Sequence, residues 1–378
     1  MTPRHPAPPR YGGGSLADVL PAVLTALGVR GETLGPAVPP SERVVVLLVD
    51  GLGTLALESH ADRAPFLARL LGAAGSHRIS TVFPSTTPIA LTSLGTGLTP
   101  GEHGVTGLYV RLDDGAMVNM LAIPAQTDLR AFQPRATAFE RAVAAGVQTT
   151  RVGPASFDGA GLTEAGLRGG RYVAADSPAA RATAVHVAVR RSAPALVYCY
   201  YGDLDATGHR HGLDSDAWRA ELARVDQWVA QVAAGLPAGT TMLVTSDHGM
   251  LDVPRDHRWD VAGTPRLAEG VEATSGDLRG VQLHVSDGAL DAVRSAWAEV
   301  LGDAFLIVDR DEAVEAGWYG PTVRDEVRKR LGDLLALAVA DHVVVDTRVQ
   351  PAYLLGLVGM HGGLTPDELE VPLLVHRG

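Results

Sequence analysis

Asp and His residues gather in four short segments of this sequence, and a fifth segment carries adjacent threonines. Between them they offer ligands for divalent cations and a seat for an anion. In Asp205-Ala-Thr-Gly-His-Arg-His-Gly212 the carboxylate of Asp205 and the imidazole of His209 stand four positions apart, so a tight loop or a helical turn lets both converge on one ion. Thr245-Ser-Asp-His-Gly-Met250 sets Asp247 beside His248, and both can bind one cation if the backbone turns sharply at Gly249. His361 lies in Met360-His-Gly-Gly363, flanked by glycine. Asp50 closes an apolar run and precedes Gly51, a pair that serves a turn as readily as a ligand site. In the segment from Phe83 to Gly97, Thr86 and Thr87 come just before a helix-like apolar stretch. Free amides and the dipole at a helix amino terminus favour an anion such as phosphate, and the same hydroxyls also suit plain helix capping.

The elements that must position these residues are legible as apolar, β-branched runs. Arg43 to Val49, Pro194 to Tyr200 and Thr240 to Thr245 are each followed directly by polar residues that include an Asp. They alternate with helix-like stretches at 62–74, 178–192 and 215–235, the pattern of a parallel sheet covered on both faces. The expected fold is doubly wound α/β, with a mostly parallel central sheet, helices on both faces and a smaller inserted α+β subdomain. Ligands collect beyond the carboxyl ends of such strands, where Asp50, Asp203, Asp205 and Asp247 fall. Region 255–345 has scattered charge, a strand at Gly280 to Val285 and helix-like stretches at 287–300 and 322–336. It reads as the insert, with 1–42 an N-terminal segment and 43–254 plus 346–378 the catalytic core.

Composition narrows the class. The chain has 378 residues, 46% of them hydrophobic, 20% charged and 5% aromatic, the profile of a folded globular protein. A formal charge of -11 argues against a nucleic-acid partner, and an acidic protein that handles an anion needs a local positive field, which bound cations supply. The single cysteine, Cys199, excludes an internal disulfide and sits in an apolar run as a core residue. Met1 to Gly14 is rich in Pro, Arg and Gly, and the apolar stretch Leu16 to Leu27 is interrupted by Asp18 and Pro21. That is neither a signal-peptide core nor the ~20 apolar residues of a membrane helix. The expectation is a cytoplasmic protein with no membrane association and an oligomeric state left open.

Taken in order, the five segments resemble those of the alkaline phosphatase superfamily, in particular its type I phosphodiesterase and nucleotide pyrophosphatase branch. The resemblance spans Val44 to Val375. It implies two divalent metal ions, zinc by family habit with Mn²⁺ an alternative. One would be held by Asp50, Asp247 and His248 and would touch the oxygen of Thr87, while Asp205, His209 and His361 would hold the other. In the family the nucleophile lies nine residues before the Thr of a Thr-Gly pair, so Thr96-Gly97 points to Thr87 and leaves Thr86 structural. The implied course is attack by Thr87, a phospho-threonine intermediate, and its hydrolysis by water activated on the Asp205/His209/His361 metal. The implied partner is a small-molecule phosphoester, with nucleotides foremost. A phosphomonoesterase or phosphonate hydrolase is the alternative within this chemistry, and a non-catalytic metal- or phosphate-binding protein lies outside it. The superfamily's sulfatases need a modified Cys or Ser in a context that Cys199 lacks.

Two positions depart from the family pattern. The residue after the nucleophile normally donates its backbone amide to a non-bridging oxygen, but here it is Pro88, which has no N–H. The position of an Asn that completes this hole is Leu108, with Tyr109 close enough to substitute. Tyr200 matches an aromatic that stacks on the nucleobase, and packing in the core suits a strand tyrosine equally well. His103 follows the family pattern as a structural turn, and His211, His257 and His284 have no assigned partner.

Overall fold

In the computed structural model, which describes residues 6–32, 35–112, 114–124 and 127–378, the apolar runs form the centre of a seven-stranded sheet. Its order is His77–Ser80, Glu370–Arg377, Thr240–Thr245, Arg43–Val49, Ala195–Tyr201, Gln148–Gly153 and Arg171–Ala174. Neighbouring strands pair in parallel, except that Glu370–Arg377 runs antiparallel to both of its partners.

Residues 44–49 are buried without exception, because both faces of the sheet are covered. Successive side chains of a strand point to opposite faces. Val44, Val46 and Leu48 therefore pack into one cluster with the helices Val19–Ala26, Thr87–Thr96 and Ala138–Ala144. Val45, Leu47 and Val49 pack into another with Pro65–Leu71, Pro178–Arg190 and Asp216–Ala234. This is the doubly wound arrangement that the alternating pattern predicts. Within the first cluster Leu16, Val19, Leu20, Val23 and Leu24 of the N-terminal region join Ile89 and Leu94, so that region holds the helix that begins at Thr87.

A second sheet has six strands, all paired antiparallel, in the order Phe305–Asp309, Leu334–Ala338, Gly280–Val285, Val271–Asp277, Tyr109–Arg111 and Met117–Asn119. Its last two strands come from the stretch that follows the Thr87 helix, so a hairpin from the first half of the chain extends the smaller sheet towards the site. The helix expected over 322–336 does not form. Asp325–Arg328 is a single turn, and Leu334–Ala338 is a strand buried at every position and paired on both edges. Leu and Ala favour helix by propensity, but burial between two partner strands overrides it. No helix among the described residues is long and apolar enough to cross a membrane.

Candidate active site

The carboxyl ends of three adjacent strands deliver three carboxylates to one place. Asp50 follows Arg43–Val49, Asp247 lies two residues beyond Thr240–Thr245, and Asp205 sits in the first turn of the helix Asp203–His211 after Ala195–Tyr201. Gly51 permits this approach: its φ is +74°, and a Cβ there would lie 3.0 Å from Cβ of Asp205. Gly51 N–H donates to Asp247 Oδ1 at 3.2 Å and so joins two of the strand ends. The turn after His248 is equally tight, since a Cβ on Gly249 would fall 1.9 Å from the carbonyl oxygen of Asp367. His361 follows the short strand Gly359–Met360.

Thr87, Asp50, Asp205, Asp247, His209, His248 and His361 all converge. His248 Nε2 lies 3.2 Å from Thr87 Oγ1, 3.4 Å from Asp50 Oδ1 and 3.6 Å from Asp247 Oδ2. His209 Nε2 lies 3.4 Å from Asp205 Oδ1 and 3.2 Å from His361 Nε2. The ligand atoms of Asp50, Asp247 and His248 are mutually within 4.8 Å, as are those of Asp205, His248 and His361. His248 thus stands between the two groups, and its ring stacks on His361 at 3.6 Å between centroids.

Two observations test this donor set against divalent cations, and both fit. Each imidazole has its Nδ1 at hydrogen-bond distance from a backbone carbonyl: His209 from Gly359 at 2.7 Å, His248 from Gly249 at 3.0 Å and His361 from Ser85 at 2.9 Å. A carbonyl only accepts, so Nδ1 carries the proton and the Nε2 lone pair faces the centre. The lone pairs of His209 and His361 therefore confront each other at 3.2 Å. The carboxylate oxygens that face these nitrogens, Asp50 Oδ1, Asp205 Oδ1 and Asp247 Oδ2, are buried and have no hydrogen-bond partner among the described residues. Buried acceptors without donors are costly, and a cation satisfies all of them together. The electrostatics agree. Burial, then the charges of Asp247 and Asp205, pushes the carboxyl of Asp50 well above its ordinary range, and burial followed by His248 and His209 holds His361 well below its own.

Thr87 is the first residue of the helix Thr87–Thr96, and Thr86 caps it in extended conformation. Pro88 falls in the first turn, where no intrahelical acceptor awaits an N–H, so it fits the helix while offering no amide to a ligand. Leu108 borders the cavity at Thr87, together with Tyr109 and two polar residues that the sequence reading passed over, Asn119 and Asp277. Asn119 faces Tyr109 across the hairpin. Its Oδ1 accepts from Leu121 N–H at 2.9 Å, which fixes the amide and leaves Nδ2 as a donor, 3.4 Å from the Tyr109 hydroxyl. Asp277 ends a strand of the second sheet and is buried, and its Oδ2 has no hydrogen-bond partner among the described residues. Burial raises its carboxyl to about 6 against the opposing bonds from Leu278 N–H and the Thr86 side chain.

Tyr200 is partly buried and packs against the core, the second of the two readings given for it. Its hydroxyl donates to Asp50 Oδ2, and its ring lies 5.6 Å from that of Phe157 on the wall of an apolar cavity. His103 is buried, accepts from Val105 N–H through Nδ1 and pairs with Ser93 through Nε2, away from the metal-type cluster. His284 pairs with Ser275, and His257 with Asp341. Cys199 is fully buried, which pushes its thiol up to about 12.

The sequence model of the type I phosphodiesterase / nucleotide pyrophosphatase family matches residues 44–364. Among solved structures, the chain is similar to the murine ectonucleotide pyrophosphatase / phosphodiesterase 5, an inactive threonine-to-alanine variant in complex with AMP. The TM-score is 0.71 at 17% identity, covering 89% of this chain and 88% of that one. It is also similar to phosphonoacetate hydrolase from Sinorhizobium meliloti 1021 in complex with phosphonoacetate, with a TM-score of 0.68, 22% identity and coverage of 89% and 91%. No curated protein sequence matches.

Proposed function

Since the chain belongs to the type I phosphodiesterase / nucleotide pyrophosphatase family, we propose that it is a metal-dependent hydrolase of phosphodiester or pyrophosphate bonds in small molecules, nucleotides foremost. The observation that carries this reading is the ring of unpartnered carboxylate oxygens and imidazole lone pairs around the Thr87 hydroxyl. Asp50, Asp247, His248 and the Thr87 oxygen would hold one cation, and Asp205, His209 and His361 the other. This mixed carboxylate and imidazole set suits Zn²⁺, with Mn²⁺ an alternative. Two such ions supply Lewis acidity: they lower the pKa of a bound hydroxyl and offset charge at phosphorus.

The remaining work falls to the chain. Thr87 Oγ attacks phosphorus in line, the leaving oxygen departs from the opposite side, and water hydrolyses the resulting phospho-threonine. The helix that begins at Thr87 presents its positive dipole end to the phosphoryl oxygens. Asn119 Nδ2 donates to a non-bridging oxygen in place of the amide that Pro88 lacks. Asp277 holds the side chain of Thr86 and thereby fixes the backbone immediately before the nucleophile.

A second reading, hydrolysis of a phosphonate monoester, draws support from the likeness to phosphonoacetate hydrolase and from the altered oxyanion contacts at Pro88. The zinc-supplemented protein and its Thr87→Ala variant separate these readings on matched 4-nitrophenyl esters: a nucleoside monophosphate diester, a phosphate monoester and a phosphonate monoester. The diester is expected to turn over fastest, and Thr87→Ala to slow every ester by roughly a thousandfold or more. A Thr87→Ala protein as active as the parent on all three would sink the mechanism, and preference for the phosphonate would favour the second reading.

A further inference from the structure

Thr87 also borders a second cavity, of about 110 Å³, which Asp205 and His361 do not line. Its walls are largely apolar, formed by Leu91, Leu162, Phe157 and the ring of Tyr200. A closed apolar cavity of about 150 Å³ accepts benzene, so the space here suits about one planar ring.

Two buried donors on these walls lack acceptors. Arg151 is 6% exposed, and neither its Nε nor its Nη1 has a hydrogen-bond partner among the described residues. Tyr198 is 3% exposed, and its hydroxyl is likewise unpartnered. The two residues are register partners on adjacent parallel strands, so they present their side chains on the same face of the sheet.

Other buried arginines of this chain are anchored. Arg279 forms a two-pronged ion pair with Glu368, Arg168 bonds Glu140 and several carbonyls, and Arg181 bonds the carbonyls of Ala175 and Asp176 through Nε and Nη2, with Nη1 alone unpartnered among the described residues. Among the described residues the guanidinium of Arg151 feels the longer-range fields of Glu164, Asp158 and Tyr198, and it lies 5.5 Å from the ring of Tyr172. Burial accordingly pulls it below its ordinary value. A buried charge with two unpaired donors destabilises the fold, so its retention beside the nucleophile calls for a ligand.

We propose that Arg151, with Tyr198, is the specificity-determining residue of this site, and that the cavity takes a flat substituent of the phosphoester whose far edge carries oxygen acceptors. The carbonyl edge of a nucleobase and an aryl carboxylate both present that chemistry. The inference rests on the hydrolase reading above, because a scissile phosphorus at Thr87 is what places a substituent here. A bare ring fills the cavity but leaves both donors desolvated and unpaired, and a site built to donate discriminates strongly against such a ligand.

The test compares the zinc-supplemented protein with Arg151→Met and Arg151→Lys on three 4-nitrophenyl esters: of uridine 5′-phosphate, of 4-carboxyphenylphosphonate and of phenylphosphonate. Arg151→Met is expected to lower kcat/KM about 10–100-fold on an acceptor-bearing ester and less than about threefold on the phenyl ester. The ester that collapses identifies the source of the acceptor, and Arg151→Lys recovers part of the loss. An equal fall on all three esters, or no fall on any, overturns the proposal and leaves the hydrolase reading standing. Calorimetric titration of UMP and 4-carboxyphenylphosphonate into the Thr87→Ala protein, with and without Arg151→Met, asks the same question without turnover. If the parent protein cleaves no ester, the hydrolase reading fails while this binding comparison still decides the role of Arg151. Arg151→Met is also expected to melt at or above the parent temperature, and a marked drop with no selective loss of binding would make Arg151 structural.

Discussion

In the proposed mechanism Asn119 would take up a duty that its neighbours cannot perform. Pro88 has no N–H, and Leu108 has no polar group where the family places an Asn. The amide of Asn119 reaches the same cavity from the far strand of a hairpin, with its orientation locked by Leu121 N–H. A preorganised donor aimed at a developing negative charge contributes far more to the rate than to binding. Asn119→Ala is therefore expected to reduce kcat by about a hundredfold with a much smaller change in KM, measured on the nucleoside diester. A change confined to KM would mean that the residue only positions substrate. Sequence reading could not find Asn119, because its relation to Leu108 and Tyr109 is a cross-strand register and not a spacing. Asp277 was out of reach for the same reason, since the second sheet carries it to Thr86 from far along the chain. Asp50, Asp205 and Asp247 were legible because each lies just beyond an apolar run that is itself visible in the sequence, and His209, His248 and His361 because each stands next to a glycine in a short segment.

At the level of elements, the two sheets meet at one fully buried ion pair. Arg279, in the turn between Val271–Asp277 and Gly280–Val285, donates to Glu368 through Nε at 2.6 Å and Nη2 at 3.0 Å. Glu368 also accepts from Gly363 N–H at 2.7 Å, two residues beyond His361, while its backbone carbonyl accepts from Gly249 N–H at 2.8 Å. The pair therefore braces two of the turns that present imidazoles. Breaking one partner of a buried pair typically costs about 3–5 kcal/mol, so Glu368→Gln and Arg279→Met should each lower the denaturant midpoint markedly. Burial by itself raises the carboxyl of Glu368, but the charge and hydrogen bonds of Arg279, with those of Thr365 and Gly363, more than offset it and hold the group below its ordinary value. A depressed acid contributes stability that is present above its unfolded pKa and lost as pH falls through its folded one. The parent protein should thus lose stability below about pH 4.5, the ordinary value for a glutamate, with a steeper slope than Glu368→Gln; denaturant titrations across the acid range read both slopes. Secondary structure was least legible in this same sheet. A run such as Leu334–Ala338 carries no period that separates a buried strand from a helix, and only its two partner strands decide the matter.

For the molecule as a whole, a formal charge of -11 and a centre lined by three carboxylates predict a fold that the proposed cations stabilise. Ligands that bind only the folded state stabilise it in proportion to the logarithm of their concentration over Kd. Exhaustive chelation is expected to lower the melting temperature by several degrees, and Zn²⁺ in excess to restore it, with a much smaller response in an Asp50→Asn/Asp205→Asn double variant. Equal shifts in parent and variant would place the stabilising ions elsewhere. The order of the large sheet has a further consequence, for biosynthesis. Glu370–Arg377 is the last strand in chain order, yet it lies inside the sheet, between Thr240–Thr245 and His77–Ser80, and His361 enters just before it. Until this segment of the nascent chain has left the ribosome, Thr240–Thr245 and His77–Ser80 both lack the antiparallel neighbour that joins them. The proposed metal site at Asp205 and His209 would correspondingly be completed late in maturation, and the half-built sheet is the stage at which a chaperone would have most to protect.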